Sequence, residues 1–503
     1  MLSREALLLG IAIAANTAVV LTVQYFPYTD ATNHLARYVL LAQIWGGEPP
    51  PFPAEFRFVP TAYLGMDAVG AILVGLMPPL AAQRVLSLVA VNLTPVAMYL
   101  LLRAKAPAAR GWALIGALLA FNWFFLIGFV SYAVGVGLAM LWIAGWWRYR
   151  THPSAAAGLL LAVGALALYF VHLSAAAVAL IVAWTDTALH LGSGELHVRR
   201  AIRDQRTWAT VAVTLAVGSA WLAAKAYAPG APLPAYTTEM RGALSKATHV
   251  FAPFYSFSPA QAALMAGTYF ASVLLFGVWH RFQRKRDSLA LATAGLFIAY
   301  LVFPATFMGA EDVDVRFLLP GLLLIFCCPA RESPPRRVFL LLPFLGCLVH
   351  AAVIGHRAVV IDRELADMAA VLDLLPARSN VLPLVSDQRR HGRIPAYRHF
   401  AHWHTIKRQG RAPNLFSGNG NGQQLLHFWV PDRLYHPGDD WGTRQYSPLA
   451  WDRILAQYEF IVEAGDDPRA SALIMEHAEP VAHKGEVTLY RVVPGRESEP
   501  LPP

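Results

Sequence analysis

An acid, an imidazole and a guanidinium follow the first apolar stretch of the sequence at regular spacing. Asp30, His34 and Arg37 are four and three residues apart. In a helix each of these offsets nearly completes a turn, so the three side chains share one face. Charged groups at a membrane surface are costly to hold, and they usually serve a substrate, an ion or a proton. This cluster is the first candidate for a functional site.

The composition places that site in a membrane protein. The chain has 503 residues, of which 56% are hydrophobic and only 15% charged, and its mean hydropathy is +0.43. These values exclude an ordinary soluble protein of this size. Apolar runs recur to about Gly355 and then stop, which predicts a membrane module over residues 1–358 and a soluble domain over residues 359–503. The three cysteines all lie inside apolar runs, so we expect no disulfide framework.

Basic residues in the short connections predict the topology. Five basic clusters face the cytoplasm by the positive-inside rule. We expect membrane lipids as partners of the protein, and no nucleic acid. The N-terminus is then cytoplasmic, and the Asp30 loop and the soluble domain are external, as for a protein of a bacterial inner membrane. The clusters are Arg103, Lys105 and Arg110; Arg148 and Arg150; Arg199, Arg200, Arg203 and Arg206; Arg281, Arg284, Lys285 and Arg286; and Arg331, Arg336 and Arg337.

Between these clusters the chain must go out and return. The apolar stretches at about 112–147, 154–190, 208–280 and 289–329 therefore divide into helix pairs. Residues 61–77 are short and contain Asp67, so we interpret them as a helix in or dipping into the outer leaflet. The fold class is a polytopic α-helical membrane protein of about eleven transmembrane helices with a C-terminal external α/β domain. Twelve spans is the alternative.

The outward turns between the paired helices carry the other candidate residues. The first turn, residues 128–132, has no acid, and the second holds His172. The third, residues 228–261, holds Lys246 and His249, and the fourth, residues 309–316, holds Glu311, Asp312, Asp314 and Arg316. Three acids so close together also suit a divalent cation such as Mg²⁺ or Mn²⁺.

Two of these patterns resemble the C-type (GT-C) membrane glycosyltransferases. They are the Asp30, His34 and Arg37 cluster in the first outer loop and the run Asp-Val-Arg-Phe-Leu-Leu-Pro from Asp314 near the start of a late span; the turn at residues 128–132 is also similar. The resemblance covers about residues 6–356. It implies a transferase that takes a sugar from a polyprenyl-phosphate-linked donor, with Asp30 as general base. Members often carry a second acid in the first short turn, and this chain has none.

A single displacement would invert the anomeric configuration. An acceptor hydroxyl loses its proton to a carboxylate within about 3 Å as it attacks the sugar, and the leaving phosphate is neutralised by cations or a metal. For that role we consider Arg37, Lys246, His249 and Arg316, and we place His34 and His172 with them as substrate-binding residues. The acceptor is a glycan, a lipid or a protein.

Simpler interpretations stay open for each residue. Asp30 could cap a helix, His34 and Arg37 could reach lipid headgroups, and His172 could be a packed histidine. The loop acids, Lys246 and His249 could be solvated surface groups. For the whole chain, the alternatives are a transporter or flippase of lipid-linked saccharides, or a noncatalytic envelope assembly protein.

The soluble tail offers fewer signals. A helical rhythm over residues 363–375 and apolar strand patterns at residues 381–385, 460–462 and 487–493 predict a small α/β domain. His399, His402 and His404 suggest metal ligands, but no second ligand pair accompanies them. The glycine- and asparagine-rich run at residues 418–422 predicts a flexible turn. The composition of residues 496–503 predicts a disordered end.

Overall fold

The computed structural model describes residues 3–192, 204–227, 238–280, 287–307, 310–328, 334–386, 391–417, 427–431, 434–437, 449–465 and 467–493. The glycine-rich run, the predicted disordered end and Gly309 lie outside these residues, as do most of the third basic cluster, all of the fourth and Arg331 of the fifth. Within them, eight helical segments are long and apolar enough to cross a membrane. They are Arg4–Leu21, Pro79–Lys105, Pro107–Leu126, Val130–Thr151, Leu173–Gly192, Gln205–Ala226, Pro259–His280 and Arg337–Leu372.

Four shorter apolar helices accompany them: Leu64–Leu76, Ala155–Val171, Ser288–Val302 and the segment Val315–Ile325. The eight long segments and the last three short helices together make eleven spans. Counting Leu64–Leu76 as well would make twelve. Leu64–Leu76 has 13 residues and, like the other three short helices, is shorter than the roughly 20 residues of a full crossing. The helical membrane fold predicted from hydropathy is confirmed.

We number the helices used below in chain order. They are α1 (Arg4–Leu21), α2 (Ala31–Trp45), α3 (Leu64–Leu76), α4 (Pro79–Lys105), α5 (Leu114–Leu118), α6 (Trp123–Leu126), α7 (Val130–Thr151), α8 (Ala155–Val171), α9 (Leu173–Gly192), α10 (Gln205–Ala226), α11 (Ala243–His249), α12 (Pro259–His280), α13 (Ser288–Val302), α14 (Leu318–Ile325) and α15 (Arg337–Leu372). The helices α16 (His402–Arg408), α17 (Trp451–Gln457) and α18 (Pro468–Met475) follow. A 3₁₀ turn, Pro107–Ala113, precedes α5.

The helix α2, which follows Asp30, is largely buried and does not lie on the surface. Most of the first ten residues of α2 are buried, and the helix packs against α3, α4 and α16. Apolar residues such as Leu35 and Tyr38 supply this contact and lie in a core shared with the C-terminal domain. The helix that carries the candidate cluster is therefore held from both the membrane module and the soluble domain.

The C-terminal domain contains a four-stranded mixed sheet in the order β2-β4-β6-β5. Its strands are β2 (Val381–Val385), β4 (Phe460–Ala464), β5 (Ala478–Lys484) and β6 (Val487–Val492). Strands β2 and β4 are parallel, and α17 and α18 belong to the same region of the chain. The predicted helix over residues 363–375 is the end of α15, a continuous helix of 36 residues, so residue 358 lies within a helix.

Several contacts join this domain to the first loop. The short strand β1 (Glu55–Phe56) pairs with β3 (Phe428–Trp429). Asp362, near the end of α15, accepts the backbone N–H groups of Gln24 (3.0 Å) and Tyr25 (2.6 Å) just after α1. A charged acceptor for two backbone donors is a strong local anchor. The loop that leads to Asp30 is thus fixed by residues from the far end of the chain.

Candidate active site

Asp30 occupies the N-cap position of α2 without acting as its cap. Its carboxylate accepts no hydrogen bond from the first turn of the helix, whereas a capping aspartate binds the N–H of the second or third helical residue. The side chain is 13% exposed, and its Oδ1 lies 3.4 Å from Nε2 of His399 in the C-terminal domain. The backbone N–H of Asp30 donates to the carbonyl of Ile127 at 3.0 Å. The carboxylate is therefore directed away from its own helix.

The turn after α6 sets the position of Asp30. Gly128 has φ +92°, a left-handed conformation that favours glycine. A Cβ at this position would lie 2.6 Å from the backbone nitrogen of Ala31 and 2.9 Å from that of Asp30. The resulting close approach brings the turn against the start of α2. Only glycine satisfies both the backbone angle and the contact.

Asn33 and His399 form a defined hydrogen-bonded group beside Asp30. The fully buried Asn33 accepts the backbone N–H of Phe416 at 2.9 Å and donates to the carbonyl of Asn414 at 2.8 Å. These two bonds fix which end of the amide is nitrogen. The amide nitrogen also lies 3.4 Å from Nδ1 of His399, so Nδ1 is the acceptor. The proton of a neutral His399 is then on Nε2, facing Asp30.

Burial keeps the imidazoles around this group uncharged. Burial first, and then the neighbouring Arg398 and His402, hold the pKa of His399 well below its usual value. Burial lowers the pKa of His402 to about 3. His402 stacks on His399, with ring centroids 6.2 Å apart. His404 instead bonds Ser379, with Nε2 3.1 Å from its hydroxyl, so the three histidines do not converge.

His34 and Arg37 lie together but serve a different partner from Asp30. Arg37 is 1% exposed and makes a bidentate pair with Asp67 of α3, with distances of 3.0 and 2.6 Å. His427 of the C-terminal domain also binds Asp67. Nδ1 of His34 accepts from Arg37 at 2.9 Å, and burial, then Arg37, lower the pKa of His34 to about 3. Arg37 is too deeply buried to reach lipid headgroups.

We expect the Arg37→Met variant to lose about 3 kcal/mol of folding free energy, because breaking a buried ion pair leaves an uncompensated charge at Asp67. Thermal unfolding in detergent measures the loss. The double variant Arg37→Met with Asp67→Leu is the matched control and should recover much of it. If Arg37→Met unfolds like the native protein and loses only lipid binding, Arg37 is a substrate ligand instead.

A second group joins three segments at the same end of the helices. The hydroxyl of Tyr63, just before α3, lies 3.0 Å from Nε2 of His172 and accepts from Nη1 of Arg316 at 3.2 Å. Nδ1 of His172 accepts the backbone N–H of Ser174 at 3.2 Å, so Nε2 of a neutral His172 carries the proton. With two donors pointing at it, the Tyr63 hydroxyl has its own proton left to donate.

The first short turn connects these two groups. The guanidinium of Arg316 lies over the ring of Phe129, 5.0 Å from its centroid. Phe129 follows Gly128, which contacts Asp30. Tyr132, at the end of the turn, donates to the carbonyl of Arg316 at 2.7 Å. The turn at residues 128–132 therefore contacts both Asp30 and Arg316, although it carries no acid itself.

A cleft opens beside this turn. Its lining combines apolar side chains with a few polar groups. The lining residues are Ala31, His34, Leu35, Tyr38, Gln83, Leu86, Gly128, Val130 and Ser131. The cleft reaches the residues that directly neighbour Asp30, so a molecule bound in it would be close to the carboxylate.

Lys246 and His249 are engaged within their own part of the chain. The Lys246 ammonium donates to the carbonyls of Tyr300 and Phe303 at 2.7 and 2.8 Å, which braces α11 against the end of α13. His249 bonds the carbonyl of Ser245, one turn earlier, at 2.8 Å. The structure places neither beside Asp30, and their substrate roles stay predictions.

Two of the three loop acids, Asp312 and Asp314, are paired with cations. Arg241 binds Asp312 and also Asp314, at 3.2 Å, and Lys246 lies 3.5 Å from Asp314. Glu311 contributes its backbone carbonyl to Arg316 at 2.7 Å. In the described part of the chain, no three His, Cys, Asp or Glu side chains are arranged to hold a metal ion. Asp312 and Asp314 are therefore already paired with cations, and a divalent ion at Glu311, Asp312 and Asp314 stays a prediction.

The fold of this chain is similar to that of a protein whose crystal structures are known. The crystal structure of ArnT from Cupriavidus metallidurans bound to undecaprenyl phosphate superposes with a TM-score of 0.56, at 12% identity, over 99% of both chains. The apo structure of the same protein covers 96% of this chain and 97% of its own, at 12% identity and a TM-score of 0.49. The chain has the GT-C fold. No protein-family model matches the sequence, and comparison with curated proteins finds no match.

Within this GT-C fold, sequence reasoning missed four of the residues that build the site. Tyr63 and Asn33 are common neutral polar residues and gave no signal in the sequence. Asp67 was noted only as a polar residue in a short apolar segment, and His399 only as part of a histidine-rich run. The available signal was Asp67, an acid in an apolar helix, because a buried charge requires a buried partner.

Proposed function

We propose that this protein is a membrane glycosyltransferase that moves a sugar from a polyprenyl-phosphate-linked donor to an acceptor hydroxyl. The observation that carries the proposal is the orientation of Asp30. Its carboxylate does not cap its helix, is still 13% exposed, and lies next to a cleft that contacts Ala31 and Gly128. A carboxylate so placed suits proton acceptance better than structural support.

In the proposed reaction the acceptor oxygen attacks the anomeric carbon and forms the new glycosidic bond. The bond between that carbon and the phosphate oxygen breaks, and its electrons leave with the polyprenyl phosphate. The proton of the acceptor hydroxyl passes to Asp30. Because there is one displacement and no second carboxylate acts as nucleophile, the anomeric configuration inverts.

The donor phosphate is proposed to bind at Arg316 and Tyr63. Arg316 supplies a positive charge, and Tyr63 supplies a hydroxyl proton, since its oxygen already faces two donors. His172 orients that hydroxyl. Tyr63 has φ 76°, a strained conformation for a bulky residue and a common mark of functional positions. The crystallised ArnT binds undecaprenyl phosphate, which supports a donor of the same class.

We place the site on the outer face of a bacterial inner membrane, with the N-terminus in the cytoplasm. The basic clusters in the alternate connections support this orientation. The two alternatives predict different behaviour. A flippase would move the lipid-linked sugar without breaking the phosphate bond, and an assembly protein would leave it unchanged.

The direct test is transfer by the purified protein in detergent or proteoliposomes. A radiolabelled polyprenyl-phosphate sugar is supplied together with lipid, glycan and protein acceptors, and free polyprenyl phosphate is measured with the labelled product. We expect release of polyprenyl phosphate in step with product. Translocation of the intact donor without release would indicate the flippase.

We expect the Arg316→Met variant to bind polyprenyl phosphate about 10- to 100-fold more weakly, because a hydrogen bond to a charged group contributes about 1.5–3 kcal/mol. Arg316→Lys should recover part of the affinity because the charge is retained. Arg57→Met is the matched control, since Arg57 is 52% exposed and pairs with Glu55. Equal affinity of Arg316→Met and the native protein would contradict the placement of the phosphate.

A further inference from the structure

The C-terminal domain reaches Asp30 through one side chain. His399 is 4% exposed, and its Nε2 lies 3.4 Å from the Asp30 carboxylate. On the other side of the ring, Nδ1 faces the amide nitrogen of Asn33 at 3.4 Å. Phe416 packs edge-on against the ring, with centroids 5.3 Å apart. The imidazole is thus fixed on several sides while one nitrogen faces the carboxylate.

The direction of the proton follows from Asn33. Its amide nitrogen also donates to the carbonyl of Asn414, and its oxygen accepts from Phe416, so the nitrogen that meets His399 carries hydrogen. Nδ1 must therefore present its lone pair, and the single proton of the neutral ring is on Nε2. A catalytic hydrogen bond is often long in a ligand-free structure and shortens in the complex.

We propose that His399 is a positioning residue that orients Asp30 as the general base by donating its Nε2–H to the carboxylate. The inference rests on the proposed function, because it concerns the group that removes the acceptor proton. It assigns to the C-terminal domain a direct part in the membrane site. In this arrangement the imidazole holds Oδ1 of Asp30 and so sets the direction of the whole carboxylate.

A neutral imidazole suits this role better than a charged one. An imidazolium would stabilise the ionised carboxylate strongly and weaken it as a base, whereas a neutral N–H fixes its direction and lowers its basicity less. The other ionisable groups near His399 are Arg398 and His402 on its own segment, His436 and His34. These cations and imidazoles, together with burial, favour the neutral form of His399. Asp30 is the carboxylate that its Nε2 faces.

Two substitutions separate positioning from packing. In His399→Gln the side-chain amide nitrogen can take the place of Nε2, whereas His399→Phe keeps a ring and removes the donor. We expect His399→Phe to lower kcat by about 10- to 100-fold, a range set by the loss of one charge-assisted hydrogen bond. The acidic limb of its kcat/KM profile should move to higher pH, since the ionised carboxylate has lost a donor. His399→Gln should recover part of both effects.

Non-additivity provides the second readout. If His399 acts through Asp30, adding His399→Phe to Asp30→Asn should cost no further activity, because residues that act as a unit are not additive. A residue with only a packing role would lower activity in both backgrounds. Thermal unfolding of each variant identifies a folding defect, and His399→Gln keeps the test available if His399→Phe is unstable.

The outcomes are distinct for the two proposals. An unshifted pH profile in a folded His399→Phe variant, or equal further loss on the Asp30→Asn background, overturns the role of His399. Full activity of Asp30→Asn overturns the general-base proposal itself. A shifted profile, partial recovery in His399→Gln and no additional loss in the double variant support the positioning role.

Discussion

The Asp30→Asn variant should fold normally, bind polyprenyl phosphate as the native protein does, and transfer sugar about 10²- to 10⁴-fold more slowly. That range is the usual contribution of a general base. Asparagine matches aspartate in shape and caps a helix about as well, but its amide cannot accept the acceptor proton. Single-turnover transfer measures the chemical step, and lipid binding is measured separately.

The Asp30→Asn variant tests proton acceptance without disturbing a helix cap. Because the native carboxylate accepts no bond from the first turn of α2, its replacement removes no capping interaction. An unfolding temperature equal to that of the native protein is the control. If transfer continues at the native rate, Asp30 does not take the proton and the cleft beside it serves another purpose.

Replacing Gly128 by alanine should reduce transfer at least about 100-fold, although the residue carries no chemistry. The new Cβ would lie 2.6 Å from the nitrogen of Ala31 at a φ of +92°, so the turn or the start of α2 must move. Displacing a catalytic group by about 1 Å is enough for a loss of this size. Arg316 would be disturbed as well, because Phe129 lies beneath its guanidinium.

Gly218→Ala is the matched control for this substitution. Gly218 lies in α10, and a Cβ there meets no atom within 4 Å. Alanine is favoured over glycine within a helix by about 1 kcal/mol, so the control should be active and at least as stable as the native protein. Native activity in Gly128→Ala would show that the turn does not set the position of Asp30.

The membrane architecture could be predicted because its signals are local in sequence. Long apolar runs and basic connections identify the helix pairs, and the turns at Gly128 and His172 fall where the charge pattern places them. The strands at residues 381–385 and 487–492 likewise follow from their own apolar patterns. Such features need no knowledge of which distant segments meet.

The arrangement of the site depends on contacts that no local pattern encodes. Arg37 shares α2 with Asp30, yet it faces Asp67 and supports the structure. Asn33 joins a loop more than 360 residues away along the chain. The left-handed backbone of Tyr63 also gave no signal, since tyrosine rarely adopts it. Spacing singled out this helix as the candidate, whereas tertiary packing decided that Arg37 pairs with Asp67 while Asp30 lies beside His399.

The anchoring of the first loop by Asp362 has a consequence for biogenesis. Asp362, 338 residues after Gln24, is synthesised only after nearly all the membrane spans, and His399 and His427 follow it. A ribosome-bound chain that has inserted its early helices therefore holds Asp30 without His399, and Asp67 with Arg37 but without His427. The contacts that fix the first loop are therefore complete only after residues 362–427 have been synthesised.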